Sequence, residues 1–216
     1  MFESLPSFID FFIHLDHHIN HLMDTYGVWS YLILFLIIFC ETGLVVTPFL
    51  PGDSLLFVLG ALTVGGTLKL NFLWFLLALA AVLGDTINYG VGKILGSSVM
   101  ANKKIPFVHP SHLEKTKHFF ERYGGKTIIL ARFVPIIRTF APFLAGAGTM
   151  RYGKFILYNI IGGLLWVSIG LFSGYFFGNI PWVRKNFTFV ILMIIVISLL
   201  PAVFELLKHR PSKQKI

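Results

Sequence analysis

The chain has 216 residues, of which 56% are hydrophobic and 13% are charged. The charged share is about half of that in a typical soluble domain, so the composition excludes a soluble globule. The basic residues behind the net charge of +8 are unevenly distributed: no Lys or Arg precedes Lys69, seven lie from Lys93 to Lys126, and four lie from Lys208 to Lys215. Such clustering between apolar runs is typical of membrane topology, and we expect no nucleic-acid partner.

Residues 1–24 predict an amphipathic helix that lies in the membrane interface. They contain four acids and no basic residue, unlike a cleaved signal peptide. The polar face of this helix carries four histidines at one-turn spacing: His14, His17, His18 and His21. A polar face turned to water or headgroups explains all four. Metal chelation by this face is the alternative, since imidazoles one turn apart converge.

The apolar stretch 29–68 predicts a broken-helix hairpin. Pro48, Pro51, Gly52 and Asp53 interrupt it near the middle, where they disrupt helical hydrogen bonding. The chain is therefore expected to fold back at this point. Whether the hairpin crosses the membrane fully or stops halfway is left open by the sequence.

Further along the chain, three apolar runs predict spanning helices: Leu70–Gly92, Phe155–Gly178 and Phe187–Leu207. The first run carries a single acid, Asp85, and is expected to end at Lys93. A polar, basic segment follows, in which the Ser-x-x-Glu capping box at Ser111 and a stop at Gly124 predict a short surface helix. Its excess of positive charge assigns it to the cytoplasmic face. We expect three of its residues to graze the membrane: Leu113, Thr116 and Phe120.

The stretch 127–150 predicts a re-entrant hairpin. It is apolar apart from Arg132 and Arg138, it is broken by Pro135 and Pro142, and basic residues flank both of its ends. Basic flanks on both sides indicate that it enters and leaves the membrane from one face. Broken helices at membrane depth need protein or a watery cavity to satisfy their backbone, so this hairpin implies an internal site.

The same order of elements occurs twice in the chain. A surface helix ending in Tyr-Gly, a broken hairpin and a span occur once from Tyr26 and again, 97 residues later, from Tyr123. One intervening span would invert the second copy, as in many transporters. We therefore predict an all-α integral membrane protein of two inverted repeats plus a C-terminal transmembrane helix. The predicted segments are the interfacial helix 1–24, the membrane domain 25–183, and the C-terminal helix with its basic tail, 184–216.

Five charged residues within the apolar segments are the candidates for function: Glu41, Asp53, Asp85, Arg132 and Arg138. Each costs about 2.5 to 3.5 kcal/mol at the centre of a spanning helix, so they need partners. Three acids in a low dielectric are suited to proton exchange. Arginine offers a rigid fork of donors that suits a phosphate headgroup.

Each of these residues also has a structural interpretation. Asp53 follows a turn and would serve as a helix N-cap. Asp85 lies one turn from Tyr89, which would satisfy it locally. Arg132 would reach cytoplasmic headgroups by snorkelling. A buried ion pair of Glu41 with Arg138 would only fix helix packing.

Several motifs along the chain resemble one known family. Glu41 to Asp53 reads ETGLVVTPFLPGD, and four further motifs follow it in order: Gly84-Asp85 with Tyr89 and Gly92, Arg132–Arg138, Ala145-Gly146 with Met150, and Asn159–Trp166. Together they resemble the DedA family of VTT or SNARE-associated Golgi-like membrane proteins. The resemblance covers roughly residues 25 to 180, with no departure at the charged positions.

The resemblance implies an inner-membrane transporter with two re-entrant hairpins. For several members it implies recycling of undecaprenyl phosphate, or translocation of phospholipid, driven by the proton motive force. The family's essential acids carry over to Glu41 and Asp53, and its essential arginines to Arg132 and Arg138. We accordingly expect a lipid phosphate and protons as partners and no cofactor. The charge pattern places the N-terminus outside and the C-terminus in the cytoplasm.

Three other classes stay open beside this hypothesis. A proton-coupled antiporter would use the acids to bind a small cation or drug directly. A membrane organiser would transport nothing. An enzyme acting on lipid phosphates is disfavoured, because His109 and His112 lie at a capping box and lack the accompanying motifs of lipid phosphatases. We assign no catalytic or metal-binding residue, and the sequence leaves a homo-oligomer open.

Overall fold

The computed structural model describes residues 25–44, 52–66, 68–100, 110–186, 189–190 and 193. All regular elements in this part of the chain are helical, which confirms the all-α class. They are α1 Trp29–Gly43, α2 Gly52–Thr63, α3 Leu70–Met100, α4 Pro110–Tyr123, α5 Thr127–Ala131, α6 Pro135–Leu144, α7 Tyr152–Gly178 and α8 Pro181–Lys185. Outside the described residues lie the predicted helix 1–24 with its histidines, Pro48, Pro51, and most of the predicted span Phe187–Leu207.

Two of the described helices, α3 and α7, are long and apolar enough to cross a membrane. Their apolar windows, Leu70–Gly96 and Tyr152–Gly178, have 27 residues each. At 1.5 Å per residue this gives about 40 Å, more than a hydrocarbon core of roughly 30 Å. Long apolar helices at both predicted spans are thereby confirmed. With 15 and 12 residues, α1 and α2 are each shorter than that core.

The predicted end of the first span at Lys93 is wrong. Helix α3 continues to Met100, because a charged side chain ends an apolar run without removing any backbone hydrogen bond. The last turns also have a packing partner, since Gly96 lies against Ala147. Lys93 itself is exposed.

The surface of α3 has the polarity of a lipid-facing helix. Five of its exposed large side chains, which are 40–62% accessible, lie three or four residues apart: Phe72, Phe75, Leu79, Leu83 and Ile87. The polar residues Asp85 and Asn88 are buried instead. Exposed apolar and buried polar groups together are the arrangement that a hydrocarbon solvent favours.

The first hairpin is built of two antiparallel arms. Helix α1 runs parallel to α3, α2 runs parallel to α7, and α3 and α7 run antiparallel. Helices α1 and α3 touch at Tyr31 and Phe72 and again, further along both, at Gly43 and Gly84. In the same way α2 and α7 touch at Leu56 and Gly170 and then at Ala61 and Gly178. For α3 and α7 the order is reversed, since Trp74 contacts Ser168 and the later Val82 contacts the earlier Asn159. Since the two long helices are antiparallel, α1 and α2 are antiparallel as well.

The arms of the second hairpin lie against the same two long helices in the opposite assignment. Helix α5 runs parallel to α7, and α6 runs parallel to α3. The first direction follows from the contacts of Gly125 with Tyr158 and of Ile129 with Gly162. The second follows from the contacts of Thr139 with Asn88 and of Phe143 with Gly92. Residues 127–150 therefore also fold back on themselves.

The break between α5 and α6 lies at Arg132–Val134. Val134 is extended, and Pro135 occupies the first turn of α6, where a missing N–H costs nothing. Pro142, which we expected to break the hairpin, lies inside α6. One lost hydrogen bond there is tolerated, and the helix widens into a π-helical turn over Ala145–Thr149.

Helix α4 covers the predicted surface segment and ends before Gly124, whose φ of 56° is favourable only for glycine. Thr116 does not graze the membrane as expected, because it is fully buried. Phe120 is partly buried and packs against the core of the second hairpin, and the side chain of Leu113 lies outside the described part. The packing of α4 on α6 accounts for the burial on this face.

Candidate functional site

The five predicted charged residues lie where the hairpin arms meet the long helices. Glu41 is in the last turn of α1, and Asp53 is in the first turn of α2. Asp85 lies within α3, Arg132 directly follows α5, and Arg138 lies in α6. The structure links all five through ion pairs in two clusters.

The inner cluster joins Arg132 to Asp85. Arg132 Nη2 lies 2.6 Å from Asp85 Oδ2, and the two side chains are 2% and 4% exposed. The same nitrogen donates to Asn159 Oδ1 at 2.6 Å, and Asn159 Nδ2 donates to the Val82 carbonyl at 3.0 Å. Three elements are therefore connected through one buried guanidinium.

This geometry disagrees with two structural interpretations of the sequence. Arg132 does not snorkel, because it is buried against Asp85. Tyr89 does not satisfy Asp85, because its hydroxyl donates to the Met150 carbonyl at 3.0 Å. Tyr89 thus ties α3 to the end of the second hairpin and leaves the acid to the arginine.

The outer cluster places Arg138 between two carboxylates of the first hairpin. Arg138 Nη2 is 3.4 Å from Glu41 Oε1, and Arg138 Nη1 is 3.5 Å from Asp53 Oδ1. Asp53 also accepts a 2.6 Å hydrogen bond from the Trp166 indole, and Glu41 Oε1 accepts one from the Gly52 N–H at 3.2 Å. Asp53 therefore takes part in the cluster, whatever capping role it has.

The two clusters differ in tightness and in access. The contacts of Arg138 are longer than the Arg132–Asp85 pair, and the Asp53 side chain is 43% exposed whereas Glu41 is 6% exposed. Within the described residues, Glu41 Oε2, Arg138 Nη2, and Arg132 Nε and Nη1 have no hydrogen-bond partner. Because an unmet buried polar atom costs about 1–3 kcal/mol, the site has capacity for further polar ligands.

A close approach of backbone and side chain explains why Gly52 begins α2. A Cβ atom built at Gly52 would meet the Glu41 carboxylate directly. Glycine lets the start of α2 lie against Glu41 and present its N–H group. The predicted break residue Gly52 therefore also shapes the site.

One side chain of α3 connects the two hairpins. Asn88 Nδ2 donates to the Thr139 carbonyl at 2.9 Å and lies 3.4 Å from the Thr42 carbonyl, and Asn88 is fully buried. Thr42 follows Glu41, and Thr139 follows Arg138. Asn88 thus fixes the backbone beside both members of an ion pair.

Sequence reasoning missed the roles of Asn88, Asn159 and Trp166. The two asparagines could have been found as uncharged polar residues within apolar spans. Burying an amide without a hydrogen bond is costly, so such a residue is expected to have a specific partner. Trp166 contacts charged groups of both hairpins, and nothing in an isolated tryptophan of an apolar span indicates such contacts.

No group of three or more His, Cys, Asp or Glu side chains is arranged to hold a metal ion in the described part of the chain. The histidine face at residues 14–21 lies outside that part. With two arginines and three acids, all ionised, the site has a formal charge of 2 − 3 = −1.

Comparison with known proteins identifies the family. The model of the VTT domain matches residues 50–176. The chain is 54% identical over 204 residues to Protein DedA of Escherichia coli (strain K12), with 94% of this chain and 93% of that protein covered. The chain belongs to the DedA family.

Other DedA relatives are more distant. Inner membrane protein YqjA of Escherichia coli (strain K12) is 34% identical over 151 residues, which cover 70% of this chain and 69% of that protein. Uncharacterized membrane protein Rv0364 of Mycobacterium tuberculosis is 43% identical over 171 residues, which cover 78% and 75%. No solved structure matches the chain. Membership of the DedA family and the lipid-facing helices together identify a membrane protein.

Proposed function

We propose that this DedA-family protein moves an anionic lipid, with a phosphate headgroup of the undecaprenyl phosphate or phospholipid type, across the bacterial inner membrane. Proton flow down the proton motive force drives the step. Arg138 receives the headgroup, the buried Arg132 adds its positive charge to the site, and Glu41 and Asp53 exchange protons. The lipid tail stays in the bilayer throughout.

The position of Arg138 is the observation that carries this proposal. Its guanidinium lies at the meeting point of both hairpins, with a carboxylate at 3.4 Å and another at 3.5 Å. These distances are long for charge-assisted hydrogen bonds, which are about 2.7–2.9 Å. A phosphate that makes shorter, bidentate bonds to the guanidinium would displace them.

The charge of the site supplies the coupling. With a formal charge of −1, the five ionised groups would repel a phosphate. Protonation of Glu41 and Asp53 would raise this charge to +1, since −1 + 2 = +1, and would free Arg138. Loading of an anionic headgroup therefore accompanies proton uptake. Asp85, tightly bonded to Arg132, holds that arginine in place and is the least suited of the acids to exchange protons.

The two hairpins, as inverted and re-entrant repeats, are the elements that move to expose the site to one side of the membrane and then the other. Each of α1 and α2 is too short to span the bilayer. The first arm of each hairpin runs with the long helix that follows it, and the second arm runs with the other long helix. Asn88 contacts Thr42 and Thr139, which are 97 residues apart, and Gly27 and Gly124 share that spacing and φ values of 53° and 56°. This exchange of partners supports a pseudo-twofold axis in the membrane plane.

Replacement of Arg138 tests the function. In vesicles containing purified protein and a fluorescent polyprenyl phosphate, Arg138→Ala is expected to abolish headgroup-dependent translocation. The exposed Arg122→Ala is the matched control and should transport like the wild type. Equal translocation by Arg138→Ala, at equal protein content, would remove Arg138 from the mechanism. Failure of the wild type with every lipid phosphate tried would refute the proposed substrate class.

A proton-coupled antiporter of a small cation is the second candidate. The exposure of Asp53, at 43% of its side chain, favours it, because the most accessible charge of the outer cluster is an acid. Modification of Asp53 by a carbodiimide, read by mass spectrometry, separates the candidates. Protection by dodecyl phosphate favours lipid transport. Protection by small organic cations and not by dodecyl phosphate favours the antiporter.

A further inference from the structure

Trp166 on α7 contacts the charged groups of both hairpins. It is 3% exposed, and its indole N–H donates to Asp53 Oδ1 at 2.6 Å. The Arg138 Cζ atom lies 4.0 Å from the centre of its ring, and the Arg132 Cζ atom lies 6.0 Å from it. One side chain therefore contacts an acid of the first hairpin and an arginine of the second.

A tryptophan that only fills space has simpler surroundings. A buried indole N–H needs one acceptor, and a neutral one suffices. Trp74 on α3 shows this arrangement, since its N–H donates to the Ser168 hydroxyl at 2.8 Å. Trp166 instead has a carboxylate at its edge and a guanidinium at its face, the position that the ring quadrupole favours for a cation.

The Trp166 ring holds Arg138 without occupying its donors, because a cation over an aromatic face makes no hydrogen bond through its N–H groups. The ion-pair distances from Arg138 to Glu41 and Asp53 are long, and its Nη2 has no hydrogen-bond partner in the described part of the chain. The ring therefore helps to hold the guanidinium while its N–H groups keep capacity for an anion.

We propose that Trp166 is a positioning residue of the anion site: its ring holds the Arg138 guanidinium with the N–H fork turned to the headgroup, and its indole N–H holds the Asp53 carboxylate beside it. This inference rests on the proposed lipid-phosphate function. It adds that both events of the cycle, proton uptake by Asp53 and occupation of Arg138, change the surroundings of one indole. Trp166 is therefore also an internal reporter of the site.

The experiment uses Trp166 itself as the probe. The chain has 4 Trp, and the replacements Trp29→Phe, Trp74→Phe and Trp182→Phe leave Trp166 as the only one in the full chain. Dodecyl phosphate is titrated into this variant in lipid nanodiscs, with inorganic phosphate and dodecyltrimethylammonium as separate arms. A saturable change of Trp166 emission with dodecyl phosphate is expected, and Arg138→Lys should remove it. A response to inorganic phosphate at the same concentrations would identify free phosphate as the source of the ligand.

Substitution of Asp53 tests its contact with the indole N–H. In the absence of ligand and at constant pH, Asp53→Asn should shift the emission of Trp166, because a neutral amide then replaces the carboxylate acceptor. A residue that served only for packing would show no such shift. An emission that is the same in Asp53→Asn as in the parent would overturn the assignment of the indole N–H.

Substitution at Trp166 completes the test. Trp166→Phe keeps a ring but loses the N–H, and binding of dodecyl phosphate measured by calorimetry should weaken by about tenfold. Trp74→Phe is the matched control and should bind like the wild type. Equal affinity of Trp166→Phe, with wild-type binding intact, would overturn the inference while leaving the proposed function in place. No binding by the wild type would refute the proposed function instead.

Discussion

Two arginines of one hairpin, six residues apart in sequence, have different surroundings. Arg132 is held by an acid and an amide at 2.6 Å each, whereas the contacts of Arg138 with carboxylates are 3.4 and 3.5 Å. A short, dry ion pair resists exchange of partners, and a long one permits it. Arg132 is therefore suited to fixing the hairpin, and Arg138 to exchanging ligands.

Neutralising Glu41 should uncouple transport from protons. Glu41→Gln keeps the size of the side chain and an oxygen for the Gly52 N–H, but it takes up no proton. We expect transport in vesicles to lose its response to an imposed pH gradient. Glu114→Gln, at an exposed residue of α4, is the control. An undiminished response in Glu41→Gln would contradict the coupling role.

Removing Arg132 should destabilise the protein. Arg132→Ala leaves Asp85 buried without its partner, which typically costs 3–5 kcal/mol, about the most that one substitution does. Thermal unfolding in detergent should show a clear fall of Tm. The double variant Arg132→Ala, Asp85→Ala should recover part of the loss, because no charge is then left unpaired. If the single variant is as stable as Arg122→Ala, the inner cluster does not hold the fold.

The charged residues of the site were predictable from the sequence, and their neutral partners were not. A charged residue in an apolar run is easily recognised, because its burial in hydrocarbon is costly. Asn159 and Trp166 are less polar and stand out less, so their roles are recognised only from the contacts that they make. The choice of partner was also invisible: Asp85 has a tyrosine one turn away in sequence but is paired with an arginine from another element.

At the scale of elements, two broken hairpins rest on two long helices. Both breaks were predicted from proline and glycine, which remove or weaken helical hydrogen bonds. Pro142 behaved differently, since α6 continues through it and relaxes in a π-helical turn. Proline position alone does not decide between a kink and a break, because neighbouring helices can satisfy the freed backbone groups.

Asn88 should matter for how the hairpins are held together. Asn88→Leu keeps the volume but leaves the Thr42 and Thr139 carbonyls without this donor, which should cost about 1–3 kcal/mol. We expect a lower Tm and a slower transport rate. Asn179→Leu, at the exposed end of α7, serves as the comparison. Unchanged Tm and rate in Asn88→Leu would show that the hairpins are fixed by other contacts.

At the scale of the whole molecule, the described part buries its charged groups together with an apolar core and exposes many large apolar side chains. Ion pairs and asparagines lie inside, and large apolar side chains of α3 and α7 lie outside. This arrangement requires a hydrocarbon surrounding, because exposed apolar stripes of this length would aggregate in water. The basic segments then predict the orientation.

Orientation in the membrane is testable with the native cysteine removed. In a Cys40→Ser chain, a cysteine at Ser212 should react with a membrane-impermeant maleimide only after the cells are permeabilised. A cysteine at Ser7 should react in intact cells that have only the outer membrane opened. The basic segments predict this result, since they favour the cytoplasmic side. The reverse labelling pattern would contradict the predicted topology.

The sequence by itself determined the membrane environment, the long helices, the fold-back points and the set of charged candidates. These depend on local quantities: the length of an apolar run, the loss of a backbone hydrogen bond, and the cost of a charge in hydrocarbon. Tertiary structure alone decided which charges pair, how tightly, and which neutral side chains orient them. Pairing depends on the relative position of helices far apart in sequence, and a single span shows no trace of the surface against which it will pack.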